Sequence, residues 1–310
     1  MKLRYCILLA SALLLSQAAL AQESVPANEV FEFLSFPRGV ARTGMAGAGS
    51  TLLSESAALA TFDNPAVLPF SVRYADASAV FGRWAPASDN AASTNLGGGA
   101  AVRLGKGFVI SAALLNQAHS QIDFGGEYGS YAPKEQMLAF GAGAAFGEYV
   151  SLGVAARMVK QFLMADYTLS STAITVMLQY RQNGLNMAAG VANLGKGIQS
   201  QKGGESPLPS SARAAASYEL PAGPGTLACA LDADYYFSGK LGLSAGVRYG
   251  FRDMVFVRAG YRYATAGAAF PSHLALGLGA KWKGFCLDAS YITANPQVGN
   301  SIALGISYKY

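Results

Sequence analysis

The sequence predicts an all-β fold, a transmembrane antiparallel β-barrel of about fourteen strands with an amino-terminal hatch inside the lumen. Three observations predict it. The last ten residues alternate strictly: Ile302, Leu304, Ile306, Tyr308 and Tyr310 share one face of an extended strand, and Ser301, Ala303, Gly305, Ser307 and Lys309 share the other. Such an apolar row is an aggregation hazard on a soluble edge strand, whereas in a membrane barrel it faces lipid and the edge closes on the first strand. Second, about fourteen segments repeat the alternation, each near the ~9–11 residues a tilted strand needs to cross a bilayer. Third, tight turns alternate with longer links between them, as the two sides of an outer-membrane barrel require.

Residues 1–21 read as a secretory signal peptide. Lys2 and Arg4 precede an apolar run from Ile7 to Leu15, and Ala19-Leu20-Ala21 forms a small-residue cleavage site before Gln22. No later run reaches the ~18 apolar residues of a membrane helix. An exported chain that is 52% hydrophobic and only 13% charged, without such a helix, is most simply a barrel. Cleavage removes two positive charges and no negative one, lowering the formal charge from +5 to +3, too mild a balance for a nucleic-acid partner. The two remaining cysteines, Cys229 and Cys286, fall on opposite strand faces, which argues against a disulfide between them.

Residues 22–70 form the hatch in this reading. The segment is rich in turn formers (Pro26, Pro37, Gly39, Gly44, Gly47, Gly49, Pro65, Pro69) and lacks sustained alternation. Residues 71–310 form the barrel. Strands are predicted at 75–84, 95–104, 107–118, 134–146, 150–162, 169–180, 185–194, 210–218, 226–237, 241–251, 254–264, 272–282, 285–294 and 299–310. Tight connections carry Gly, Asn and Asp, as in Gln182-Asn183-Gly184 and Lys283-Gly284. Two links break the rhythm: 219–225 is long where a turn is due, and 238–240 is short where a loop is due. An even strand count places both mature termini in the periplasm.

The faces set the lumen chemistry. Along 254–264, Val255, Val257, Ala259, Tyr261 and Tyr263 oppose Met254, Phe256, Arg258, Gly260 and Arg262. An arginine at the lipid midplane costs ~2–4 kcal/mol, so the charged face belongs inside. The predicted lumen network is Arg157, Arg248, Arg258 and Arg262 with Asp232, Asp234 and Asp288. Its simplest role is to fill the lumen as structural ion pairs, with ligand binding as the alternative.

Other motifs carry little chemistry. The glycines of Gly44-Met45-Ala46-Gly47-Ala48-Gly49 follow no strand and open no nucleotide-binding helix, so they read as backbone that packs closely inside the barrel. His119 and His273 stand apart from any cysteine or acidic cluster. No metal site, cofactor site or catalytic triad is recognisable, and the chain reads as no enzyme.

Several motifs carry a family resemblance: Phe33-Leu34 with Pro37, the run Ala41-Arg42-Thr43 through Gly49, and Asp63-Asn64-Pro65-Ala66-Val67-Leu68. To these add Asn193-Leu194-Gly195, Leu208-Pro209, and Tyr249-Gly250-Phe251-Arg252-Asp253 before Arg258-Ala259-Gly260-Tyr261-Arg262. Together they resemble the PorV/PorQ family, within the wider group of long-chain fatty-acid transporter-like barrels. An acidic, Asp-rich stretch often found there before the Asn-Pro-Ala triplet is reduced here to Glu55 and Asp63. The resemblance implies a fourteen-stranded outer-membrane barrel that acts as an accessory of type IX protein secretion, handing over exported cargo at the cell surface. Its partners would be outer-membrane lipid and secreted cargo proteins or other secretion components. The alternative it implies is passive uptake of hydrophobic small molecules, with a hydrophobic ligand beside the hatch. Candidate hatch or gate residues are Asn64, Pro65 and Ala66, with Gly44, Met45 and Gly47.

Overall fold

The computed structural model describes residues 29–53, 56–84, 92–123, 129–164, 167–199, 205–293, 295 and 298–310; the predicted signal peptide, residues 1–21, lies outside them. Fourteen antiparallel strands close into one barrel. They are β1 (Ala75–Trp84), β2 (Ser93–Arg103), β3 (Phe108–His119), β4 (Lys134–Phe146), β5 (Val150–Met164), β6 (Tyr167–Gln182) and β7 (Leu185–Gly195). The second half comprises β8 (Ser211–Ala222), β9 (Gly225–Tyr236), β10 (Leu241–Phe251), β11 (Val255–Ala264), β12 (His273–Trp282), β13 (Phe285–Thr293) and β14 (Ser301–Lys309). The last strand pairs with the first from Asp76↔Lys309 to Arg83↔Ile302, so no edge remains.

The register follows the alternation. In β14, Ile302, Leu304, Ile306 and Tyr308 are exposed while Ser301, Ala303 and Ser307 are buried. In β11, Val255 and Val257 point out, and Phe256, Arg258 and Arg262 point in. Met254, predicted inward, lies in the preceding turn and is exposed. The exterior is thus an apolar, lipid-facing band. Aromatic side chains crowd one rim on the outside, among them Phe108, Phe146, Tyr149, Phe251, Trp282 and Phe285, the placement favoured where a bilayer meets water.

That rim carries the tight turns 104–107, 147–149, 183–184, 223–224, 252–254 and 283–284. Longer links lie at the other rim, and two of them carry small hairpins, 122–123 with 130–131 and 198–199 with 205–206. The expected irregularity at 219–225 is absent. Strand β8 runs on to Ala222 and turns through Gly223 at φ 58° and Pro224. Pro221 obscured this in the sequence, because proline removes a ladder donor and argues against a strand interior. The short link near 238–240 remains.

Residues 29–72 occupy the lumen in short pieces: 3-10 turns at Glu32–Ser35, Ala57–Phe62 and Pro65–Val67, and single α-turns α1 (Val40–Thr43) and α2 (Leu68–Ser71). Prolines and glycines prevent anything longer. The chain winds around the inner wall, with α1 against β12–β14, the 57–62 turn against β1–β4, and the 65–67 turn against β4–β6. It begins at the loop rim, where Glu29 accepts from Ser238 Oγ at 2.6 Å and Lys240 Nζ at 3.1 Å, and leaves at the turn rim, where β1 begins. The described start of the chain and Tyr310 therefore lie at opposite rims, which an even strand count alone did not anticipate: the hatch itself crosses the lumen.

Candidate functional site: the hatch and its chambers

Glycines in the wall mark where the hatch docks. A Cβ on Gly153 of β5 would run into the backbone of Pro65 and Ala66, and one on Gly143 of β4 would stand 2.9 Å from the Pro65 carbonyl oxygen. A Cβ on Gly260 of β11 would strike Met45, and one on Gly246 of β10 would lie 2.9 Å from Met45 Cβ. Gly44 meets Gly277 of β12, where a Cβ would come within 2.8 Å of the opposing Cα. Gly47 stands at φ 90° and Gly49 at φ 88°, a left-handed backbone that only glycine adopts freely. The predicted candidates Gly44, Met45, Gly47, Pro65 and Ala66 thus lie at two docking points on opposite walls.

Asn64 spends its amide inside the hatch and on the wall. Its Nδ2 donates to Ser50 O at 3.0 Å and Gln179 Oε1 at 2.8 Å, and its Oδ1 accepts from Ala66 N at 3.1 Å. Pro65 opens the following 3-10 turn, where its missing N–H leaves no orphan donor.

Wall carboxylates satisfy hatch backbone that no helix satisfies. Asp232 accepts from Gly49 N at 2.6 Å, and Asp76 accepts from Ala58 N at 2.9 Å and Ala57 N at 3.2 Å. Arg42 answers this charge. It pairs with Asp63 at 2.8 Å and Asp232 at 3.5 Å and donates to the Gly47 carbonyl, so one guanidinium joins both ends of the hatch to β9. Burial works against its charge, but Asp63 and Asp232 outweigh burial and raise its pKa. Arg38 is buried against Phe33 and Phe36 and lacks an ion pair among the described residues; burial lowers it to about 10, so it stays charged at neutral pH.

The predicted lumen network exists in part. Arg258 pairs with Asp288 at 2.7 Å, and Asp234 receives Arg262 at 3.2 Å and Arg213 at 3.0 Å. Arg248 instead meets Glu219 at 2.8 Å, and Asp232 serves the hatch. Arg157 makes no ion pair among the described residues; it donates to Asn193 Oδ1 and to the Phe62 carbonyl. Asn193, at φ 58°, sits at a bulge where Ala192 and Asn193 face Thr175 alone, and its Nδ2 also donates to Pro209 O at 3.2 Å. Two motifs of the family resemblance, Asn193-Leu194-Gly195 and Leu208-Pro209, therefore meet in space. Sequence spacing could not reveal Arg42 as the partner of Asp232, Gln179 as that of Asn64, or Glu219 as that of Arg248, since each pair joins segments far apart in the chain.

Among the described residues, the spaces beside the hatch include two cavities. A small chamber of about 40 Å³ is lined by Met45, Leu52, Leu59 and Val67 together with the polar Arg42, Asp63, Asn64, Arg248 and Arg258. A polar vestibule of about 320 Å³ opens toward the turn rim beside Glu219, Lys281 and Lys309. At the loop end, Phe36 of the hatch packs tilted against Trp84 at 5.3 Å and Phe270 at 5.0 Å.

The sequence matches no family model, and no curated protein matches it. Solved structures match its fold. The CymD monoaromatic hydrocarbon channel aligns with TM-score 0.65 and 14% identity over 87% of this chain and 96% of that one. The Pseudomonas putida toluene transporter TodX gives 0.61 and 12% over 91% and 98%. A Pseudomonas aeruginosa FadL homologue gives 0.57 and 11% over 87% and 98%. The chain therefore has the fold of FadL-like outer-membrane barrels.

Proposed function

We propose that this chain is a passive outer-membrane channel for small hydrophobic compounds. The observation that carries the reading is the small chamber beside the hatch, where apolar side chains predominate over the exposed lining. A concave, mostly apolar pocket with a few polar groups at its margin suits a neutral apolar guest. The fold likeness supports it, because CymD and TodX are described as channels or transporters of monoaromatic hydrocarbon and toluene. The tight-turn rim would face the periplasm and the loop rim the exterior. Membership in the PorV/PorQ family, and with it handover of cargo in type IX secretion, rests on the sequence motifs alone and takes second place. Asn64 reads best as an anchor, since its bonds hold the corner on both sides.

Extraction in mild detergent followed by mass spectrometry tests the choice. A small apolar molecule retained by the folded barrel is the expected result. An exported protein bound in equal amount, with no apolar molecule, would reverse the order of the two readings.

A further inference from the structure

We propose that the outer face of β3–β6 near the loop rim is a binding surface for a phosphorylated glycolipid of the outer leaflet. It rests on the orientation given above, with the loop rim outward, and not on any guest in the lumen. Among the described residues of the fourteen strands, Arg83, Lys134 and Lys160 are the charged side chains that face outward. All three are positive, all lie in the loop-side half of their strands, and none makes an ion pair among the described residues. Every carboxylate of the same strands points into the lumen. A merely solvated rim mixes both signs, whereas cations alone complement an anionic partner.

Both lysines belong to a continuous polar patch. Across neighbouring strands, Asn116 stands opposite Gln136, Gln136 opposite Lys160, and Lys160 opposite Ser170. All four are exposed on the outer face, and Gln136 Nε2 donates to Asn116 Oδ1 at 3.3 Å. Lys134 is one diagonal step from Lys160, so both ammonium groups reach the same anion. Gln136 is ten residues from Phe146, and Lys160 ten from Val150, at the turn rim. That is roughly 33 Å of strand, or about 25 Å of height at a ~40° tilt, the thickness of the apolar band. The row therefore stands at the headgroups. Toward the midplane, Leu138, Met158, Phe140 and Ile174 are exposed and offer acyl chains an apolar bed. Other strands carry tyrosine at their loop-side outer positions, as Tyr235, Tyr263 and Tyr291 do, the usual interfacial choice. On β3–β6, lysines supply point charges for phosphate, and the amides and hydroxyl bond sugar oxygens. The row spans three inter-strand spacings, ~14 Å, which is wider than one phosphate ester and suits a sugar headgroup.

The test uses the full-length barrel in detergent. Native mass spectrometry follows binding of bisphosphorylated lipid A, with lipid A stripped of phosphate and phosphatidylglycerol as comparison lipids. Lys134→Gln combined with Lys160→Gln is expected to weaken lipid A binding about tenfold or more, to the level of the stripped lipid on the parent. Lys160→Gln alone should give a smaller loss and covers the case in which the double variant does not fold. Lys160→Arg should bind like the parent, and Arg83→Gln, outside the row, should stay within about twofold of it. Parent-like lipid A binding in the folded double variant or, should that variant not fold, in Lys160→Gln overturns the surface. So does phosphatidylglycerol that binds as tightly as lipid A, because the row would then be a general phospholipid contact. Binding in detergent needs neither a hydrophobic guest nor a membrane orientation, so a failed surface and a failed uptake reading are distinguishable.

Discussion

Deleting residues 24–68 is expected to convert a closed barrel into an open pore. The hatch contributes no strand, and the ladder from β1 to β14 is complete without it. The deletion exposes apolar wall residues such as Val80, Leu115, Met137 and Met177, but also Asp76, Asp232, Arg157 and Gln179, which lose hatch partners and gain water. A lumen lined that way fills with water and conducts ions, as in polar-lined barrels of similar build. Single-channel recording in a planar bilayer should show stepwise conductance that the intact chain lacks. The deleted protein should still migrate as a heat-modifiable band. If conductance is the same with and without the segment, residues 24–68 do not plug the barrel.

The second large effect is expected from Arg42→Ala. The substitution leaves Asp63 and Asp232 buried without their shared cation, and breaking a buried pair from one side costs about 3–5 kcal/mol. It also removes the donor to the Gly47 carbonyl, so the two halves of the hatch lose their common tie. Arg42→Lys should recover only part of the loss, because a point charge cannot bridge two carboxylates and a carbonyl as a planar fork does. The double variant Arg42→Ala with Asp63→Asn should be less damaged than Arg42→Ala alone, since the stranded charge is gone. Denaturant titration of the purified barrel measures the order. Equal stability of Arg42→Ala and the parent would mean that the hatch is held by packing on the wall glycines.

The barrel was legible because membrane strands are written in a period of two. Leu241–Phe251 and Ala75–Trp84 have the bounds that alternation predicts, and Cys229 and Cys286 fall on opposite faces. Arginines had to face the lumen, and Arg157, Arg248, Arg258 and Arg262 do. Their partners were not legible, because which inward carboxylate meets which guanidinium depends on where the hatch lies. Asp232 was claimed by Gly49 and Arg42, and Arg157 was left to an asparagine at a bulge. The hatch path was equally hidden. Irregular backbone has no periodicity, and only the glycines at 143, 153, 246 and 260 hinted at close approach within strands. The fatty-acid transporter resemblance led to the right fold, while its secretion branch led to the reading that the fold likeness supports less.

Uptake of radiolabelled toluene by Gram-negative cells, with and without this chain in their outer membrane, tests the central claim most directly. The sugar-rich outer leaflet slows apolar solutes, so a barrel with an apolar chamber should accelerate entry. Val67→Phe, which fills the chamber from within, should remove the acceleration when uptake is compared per folded barrel. Uptake that is no faster with the chain than without it, in cells where the barrel is present and folded, would contradict the account.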